Sequence, residues 1–129
     1  MPYLFGLHNA GKLPVVFFSA CLTAKLDYEL LGHEVPCFAY ALVKQKSGGA
    51  IATIGATQLE YSWIFATGPQ SGGEYLHLKF FEAYEPGNAV SDMLTQAQNE
   101  YLNQVGKDGL TLGEMMLIGD PSLKIGGYP

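Results

Sequence analysis

Basic residues are scarce. Lys and Arg together number seven against twelve Asp and Glu, for a formal net charge of -5. The seven are scattered, whereas a nucleic-acid footprint needs them clustered on one face, so DNA and RNA are set aside as partners. Cysteine is scarcer still, with only Cys21 and Cys37. Two thiols are no disulfide scaffold. A bridge between them stays open, although both stand in contexts that read as buried. Long apolar runs are missing. The longest, Leu13 to Leu22, includes Ser19, Ala20 and Cys21 and falls far short of the roughly 20 residues that span a bilayer. The start, Met1-Pro2-Tyr3, has neither the basic nor the apolar part of a secretory leader, which bears on export only if Met1 is the true start. Neither internal repeats nor charge blocks occur. Gly49 and Gly55 flank a strand pattern with no Lys after them, so there is no P-loop. There is also no Gly-x-Ser-x-Gly elbow, no dinucleotide-binding glycine fingerprint and no glycosylation sequon. A zinc site drawn from His8, Cys21, His33 and Cys37 would lack any Cys-x-x-Cys pair.

What remains is a chain made to bury surface. Hydrophobic residues are 48% and charged residues 15% of 129 positions, the size of one ordinary domain and not the composition of a disordered one. Leu13-Pro-Val-Val-Phe-Phe-Ser19 is β-branched and aromatic without alternation, as in a strand covered on both faces. Ala50 to Ile54 is a second such run, entered through Gly48-Gly49 and left at Gly55. Met115 to Ile118 is a third, closed by Gly119-Asp120-Pro121, where a turn follows the strand. Helices fit between them. Pro36 suits a first turn, after which Phe38, Ala41 and Leu42 share a face and Gly48 supplies a stop. Asn88 to Gln104 is the clearest helix, with Asn88 as cap and Val90, Met93, Leu94, Ala97 and Tyr101 at helical spacing. Residues 74 to 84 are read as a further helix.

Strands alternating with helices argue for an α/β fold with a mostly parallel sheet. Residues 20 to 36 and 56 to 73 are then long loops that leave the carboxyl ends of the strands, where ligands bind in such sheets. Cys21 follows the first strand directly and stands at that rim. Two readings compete there: a small buried hydrophobe or a nucleophile.

The order of several segments favours the nucleophile. Asn9 through Cys21, Leu22-Thr-Ala-Lys-Leu-Asp-Tyr28 and Pro36-Cys37-Phe38-Ala39 come first. Gly49-Ala-Ile-Ala-Thr-Ile-Gly55, Tyr61-Ser62-Trp63 and Leu117-Ile-Gly-Asp-Pro-Ser-Leu123 follow. In this order they resemble the nucleophile region of the gingipain-type cysteine peptidases, over nearly the whole chain. The resemblance implies a three-layer, caspase-like sandwich, with residues 1–129 as one partial domain, its C-terminal portion. It implies peptide-bond hydrolysis by a Cys–His dyad. Cys21 is then the attacking thiol, and its own backbone N–H is an oxyanion donor. Trp63, or Tyr61 if the alignment shifts, walls the substrate pocket; ordinary loop packing is the competing reading of Trp63. Cys37 matches a second, structural cysteine. The resemblance also admits calcium, for which no ligand set can be assigned, and a secreted or surface-attached full-length form.

Two departures stand out. Tyr40 occupies a place where the family usually has an acidic residue. The dyad histidine, which in the family lies further upstream than the twenty residues before Cys21 allow, is not matched; in caspases it precedes the cysteine by about 50 residues. His8 sits before the nucleophile strand, His33 in the long loop after it, and His77 on a helix face. A simple thiol is only a few per cent ionised near neutrality, so the chain by itself is expected to hydrolyse peptides little or not at all. The strand Val15 to Phe18 is expected to present an exposed apolar edge, favouring self-association or capture of the missing half-domain. The alternative is a peptidase-like interaction or regulatory module without catalysis. A third reading is an α/β domain whose cysteines are merely buried.

Overall fold

The computed structural model describes Leu4, residues 6–9 and residues 11–126. In chain order, strands β1 (Val15–Phe17), β2 (Glu29–Leu30) and β3 (His33–Glu34) precede helix α1 (Phe38–Val43). Strands β4 (Ala52–Ala56), β5 (Ser62–Phe65) and β6 (Gly68–Gly72) come next. Helices α2 (Gly73–Glu82), α3 (Val90–Gln104) and α4 (Gly109–Glu114) follow, and strand β7 (Met115–Gly119) is last. These elements make a mixed α/β structure in two compact units. One takes in the described residues up to Leu59 together with Met115–Asp120; the other takes in Glu60–Glu114 and the described residues after Asp120.

The first unit is built on a sheet of order β1-β4-β7. Strand β4 is central, and all five of its residues are buried, as its unbroken apolar run requires. It pairs in parallel with β1, Val16 opposite Thr53 and Phe17 opposite Ile54. With β7 it pairs antiparallel, Ile54 opposite Leu117. This corrects the expected sheet: the third strand runs against its neighbour, so the described sheet is mixed rather than mostly parallel. The run Met115 to Ile118 speaks of coverage on both faces and carries no information about direction, and an antiparallel edge strand on a parallel core is common. Among the described residues β1 has one strand partner, β4, and β7 likewise.

Helix α1 lies on this sheet, where the buried Thr53 hydroxyl donates to the Ala39 carbonyl at 3.2 Å. Its buried residues are Ala39 and Leu42; Phe38 stays exposed, with its ring edge-on to Phe18 at 5.3 Å. The helix is thus rotated from the expected Phe38-Ala41-Leu42 face. Cys37 stands at its N-cap position and is buried with Ala24 and Ala39 against Phe18, Met116 and Ile118. The segment from 20 to 36 is not wholly loop: β2 and β3 form a short antiparallel hairpin, turned through Leu31 and Gly32 at positive φ.

The second unit opens with another hairpin, β5 and β6, whose register shifts between Trp63 and Ile64. It feeds straight into α2, which packs on α3. The buried residues of α3 are Val90, Met93, Leu94, Ala97 and Tyr101, the stripe its periodicity predicts. Its N-cap is Ala89 rather than Asn88, and the Asp92 carboxylate accepts the Ala89 N–H at 3.3 Å. Tyr101, fully buried, ties three elements together. Its hydroxyl accepts the Gly72 N–H at 2.8 Å and donates to Asp108 at 2.7 Å. Asp108 also takes the Thr111 hydroxyl at 2.7 Å and the Leu110 and Thr111 N–H groups, both at 3.2 Å, so it caps α4. No helix among the described residues is long and apolar enough to cross a membrane.

Candidate active site

Past β1 the chain keeps to the first sheet for one more hydrogen bond, from the Phe18 N–H to the Ile54 carbonyl at 2.8 Å. It then reverses. The Ala24 N–H reaches the Ala56 carbonyl and the Leu22 N–H the Gln58 carbonyl, both at 2.9 Å. Residues 22 to 24 therefore count up as 58 to 56 count down. The reversal carries Cys21 beyond the carboxyl ends of the parallel pair β1 and β4. Its side chain is exposed, that of Cys37 is buried, and neither is in a disulfide. The bridge left open by the sequence is not formed.

The turn that bears Cys21 is tightly specified. Leu22 has φ 61, a left-handed conformation that a branched residue adopts at a cost of roughly 1–3 kcal/mol and that clusters at functional sites. Thr23 locks the turn from three sides. Its hydroxyl donates to the Ala20 carbonyl at 3.0 Å. Its carbonyl accepts the Ala39 N–H at 2.9 Å, one of the N–H groups that a helix start leaves unpaired. Its side chain stands over Gly55, where an added β-carbon would come within 2.5 Å of Oγ1. Glycine in the middle of β4 is therefore a space requirement of the turn. Sequence reasoning did not single out Leu22 or Thr23, and it took Gly55 for the end of the strand, whereas β4 runs through it to Ala56. The usable signal was Gly55 itself, since an isolated glycine in a strand run often marks a close backbone approach.

The aromatic residues named for the substrate pocket lie in the second unit. Tyr61 precedes β5 and Trp63 is within it, and they are 59% and 66% exposed. Trp63, Ile64 and Phe65 are all exposed in succession. Alternate residues of a strand face opposite ways, so both faces of β5 present apolar surface. Most of the Trp63 side chain is left uncovered by the hairpin. The base of the hairpin is tied down: the Ser62 hydroxyl accepts the Glu74 N–H at 2.9 Å and the Tyr61 carbonyl the Gly73 N–H at 3.2 Å.

The histidines are spread out. His8 and His33 belong to the first unit and are exposed, with His33 opposite Leu30 in the small hairpin. His77 is on α2, its Nδ1 3.9 Å from the Glu74 carboxylate and its ring edge-on to Phe81 at 5.2 Å. Among the described residues, no three His, Cys, Asp or Glu side chains are grouped so as to hold a metal ion. The described residues thus offer no such cluster for the calcium that the resemblance admits.

Comparison with curated proteins and with solved structures finds no match. The family model for peptidase family C25 matches residues 4–126, a span that takes in both units. An exposed thiol on a constrained turn past a parallel strand pair, within a match of that extent, fits one conclusion: the chain belongs to peptidase family C25, the gingipain family.

Proposed function

We propose that this chain is the nucleophile-bearing, C-terminal part of a C25 cysteine endopeptidase domain, with residues 1–129 forming one partial domain of caspase-like, three-layer design. The observation that carries the reading is the exposed Cys21 held past the ends of β1 and β4 beside the left-handed Leu22. In the reaction the Cys21 sulfur, as thiolate, adds to the carbonyl carbon of the scissile peptide bond. The backbone N–H of Cys21 donates to the oxygen on which charge develops. The C–N bond breaks, the amine leaves with a proton delivered by an imidazole, and water hydrolyses the thioester. That imidazole comes from a segment of the peptidase domain upstream of this chain, so the chain by itself turns over peptides poorly. Trp63, or Tyr61 beside it, walls the pocket for the substrate side chain. Neither contributes much as packing, which leaves their surface for a ligand.

The test is turnover of fluorogenic peptides by the chain by itself and by the chain joined to an upstream segment carrying a His-Gly turn. Hydrolysis by the joined form that Cys21→Ser abolishes is the expected result. Robust hydrolysis that survives Cys21→Ser sinks the assignment. A second reading, a non-catalytic interaction module, is favoured by the exposed row Trp63, Ile64 and Phe65. It is preferred if the joined form stays inert while Trp63→Ala abolishes association with another chain.

A further inference from the structure

Three features of the Cys21 turn converge on one side chain. Leu22 is held left-handed, the Ala20 carbonyl accepts the Thr23 hydroxyl at 3.0 Å, and Thr23 is itself fixed by α1 through the Ala39 N–H at 2.9 Å. The Ala20 carbonyl and the Cys21 N–H are two ends of one peptide group. A hydrogen bond accepted at the oxygen polarises that group, and chained hydrogen bonds strengthen one another by roughly 10–30%. It also fixes the plane in which the N–H points.

We propose that Thr23 is a positioning residue of the peptidase reaction: its hydroxyl, donated to the Ala20 carbonyl, orients and polarises the peptide whose N–H receives the oxyanion formed at Cys21. The inference rests on Cys21 being the nucleophile. It adds that the turn is tuned from two residues downstream of the nucleophile.

A peptide aldehyde reads this directly. The Cys21 sulfur adds to the aldehyde carbon, the carbonyl electron pair moves to oxygen, and the thiol proton ends on that oxygen. A hemithioacetal results with nothing lost. Its formation passes through the same oxyanion as acyl transfer and is measured as protection of Cys21 from iodoacetamide, followed by mass spectrometry. In Thr23→Val the aldehyde concentration for half-protection should rise about five- to tenfold, the size of one net hydrogen bond. Thr23→Ser should restore it. Cys37, buried under the turn, is the internal control. If Thr23→Val instead speeds alkylation of Cys37, the hydroxyl is merely structural and the proposal fails. If half-protection is the same in wild type and Thr23→Val, it also fails. Wild-type Cys21 reacting no faster than Cys37 removes the nucleophile reading and this inference with it. Thr23→Ala carries the comparison should the valine variant not fold.

Discussion

The Thr23 side chain stands over Gly55 so closely that a β-carbon there would lie 2.5 Å from the hydroxyl oxygen and 3.4 Å from the methyl carbon of Ala24. Strand β4 is buried at every position, and the atoms that a β-carbon on Gly55 would meet belong to the turn. Gly55→Ala must push the turn away from the sheet. Overpacking of this kind costs about 1–3 kcal/mol, and the displaced turn carries Cys21. Urea unfolding should register the loss of stability, and Cys21 modification should change with it. An alanine variant with unaltered stability and unaltered Cys21 reactivity would show that the turn does not need the glycine.

The two thiols differ in access, and this gives a second expected outcome. Iodoacetamide on the native chain should add one carboxamidomethyl group, at Cys21, because Cys37 is only 4% exposed. The second addition should follow unfolding. Peptide mapping after limiting alkylation decides the matter. Equal labelling of both residues under native conditions would contradict the packing of Cys37 against Ala24 and Ala39.

How much of this was legible beforehand differs from element to element, for physical reasons. The helix at Val90–Gln104 declared its buried stripe because a period of 3.6 over four turns leaves little choice. The three sheet strands were visible as apolar runs, yet their direction was not, since a strand covered on both faces reads alike either way. Both hairpins were taken for loop. Leu31-Gly32 and Ala66-Thr67 are not the Asn-Gly or Asp-Gly pairs that announce tight turns, and β5 is exposed on both faces, so no alternation marks it. The face of α1 was misread because exposed Phe38 looks like core while small Ala39 supplies the contact. The place of Cys21, past the end of a strand, was legible from the apolar run before it. Thr23, the residue that fixes it, carries no motif; its role depends on Ala20, Ala39 and Gly55 meeting in space.

Trp63 separates packing from recognition. At 66% exposure its loss should alter stability by no more than about 0.5 kcal/mol. An aromatic that anchors a ligand typically costs more than about 1 kcal/mol when cut back to alanine. Trp63→Ala should therefore leave the melting temperature alone and weaken binding of peptide to the joined form. A large drop in stability with unchanged binding would return Trp63 to a structural role.

Acid should act on the second unit through two opposed carboxyls on either side of α4. Burial works against ionisation of Asp108, but the donors from Tyr101, Thr111 and Leu110 outweigh it and hold its pKa below the ordinary carboxylate value. A depressed folded pKa gives stability that is present above about pH 3.9, the unfolded value, and lost as pH falls through the folded value. Glu114 is shifted the other way, first by burial and then by the nearby charge of Asp108. Its contribution is complete below about pH 4.3 and is lost as pH rises towards the folded value. Asp108→Asn should therefore reduce stability at neutral pH and blunt the acid transition, while Glu114→Gln should flatten the decline above about pH 4.3. Urea midpoints measured from pH 2 to 7 test both, and parallel curves for wild type and the two variants would refute the assignment.

The phenol of Tyr101 makes the most demanding case. Burial raises its pKa above the usual tyrosine value, which keeps it a donor to Asp108 across the working range. Tyr101→Phe removes one hydroxyl and leaves two groups in deficit: the buried Gly72 N–H loses its acceptor, and Asp108 loses its 2.7 Å donor. Leaving one buried polar group unpaired costs about 1–3 kcal/mol, and Gly72 is buried. The variant should also raise the pKa of Asp108 and shift the acid transition upward. The double variant Tyr101→Phe/Asp108→Asn should be less destabilised than the sum of the singles by about 0.5–3 kcal/mol, as expected for partners in one network. Strict additivity would mean that β6, α3 and α4 are held together independently and that the hydroxyl bridges nothing.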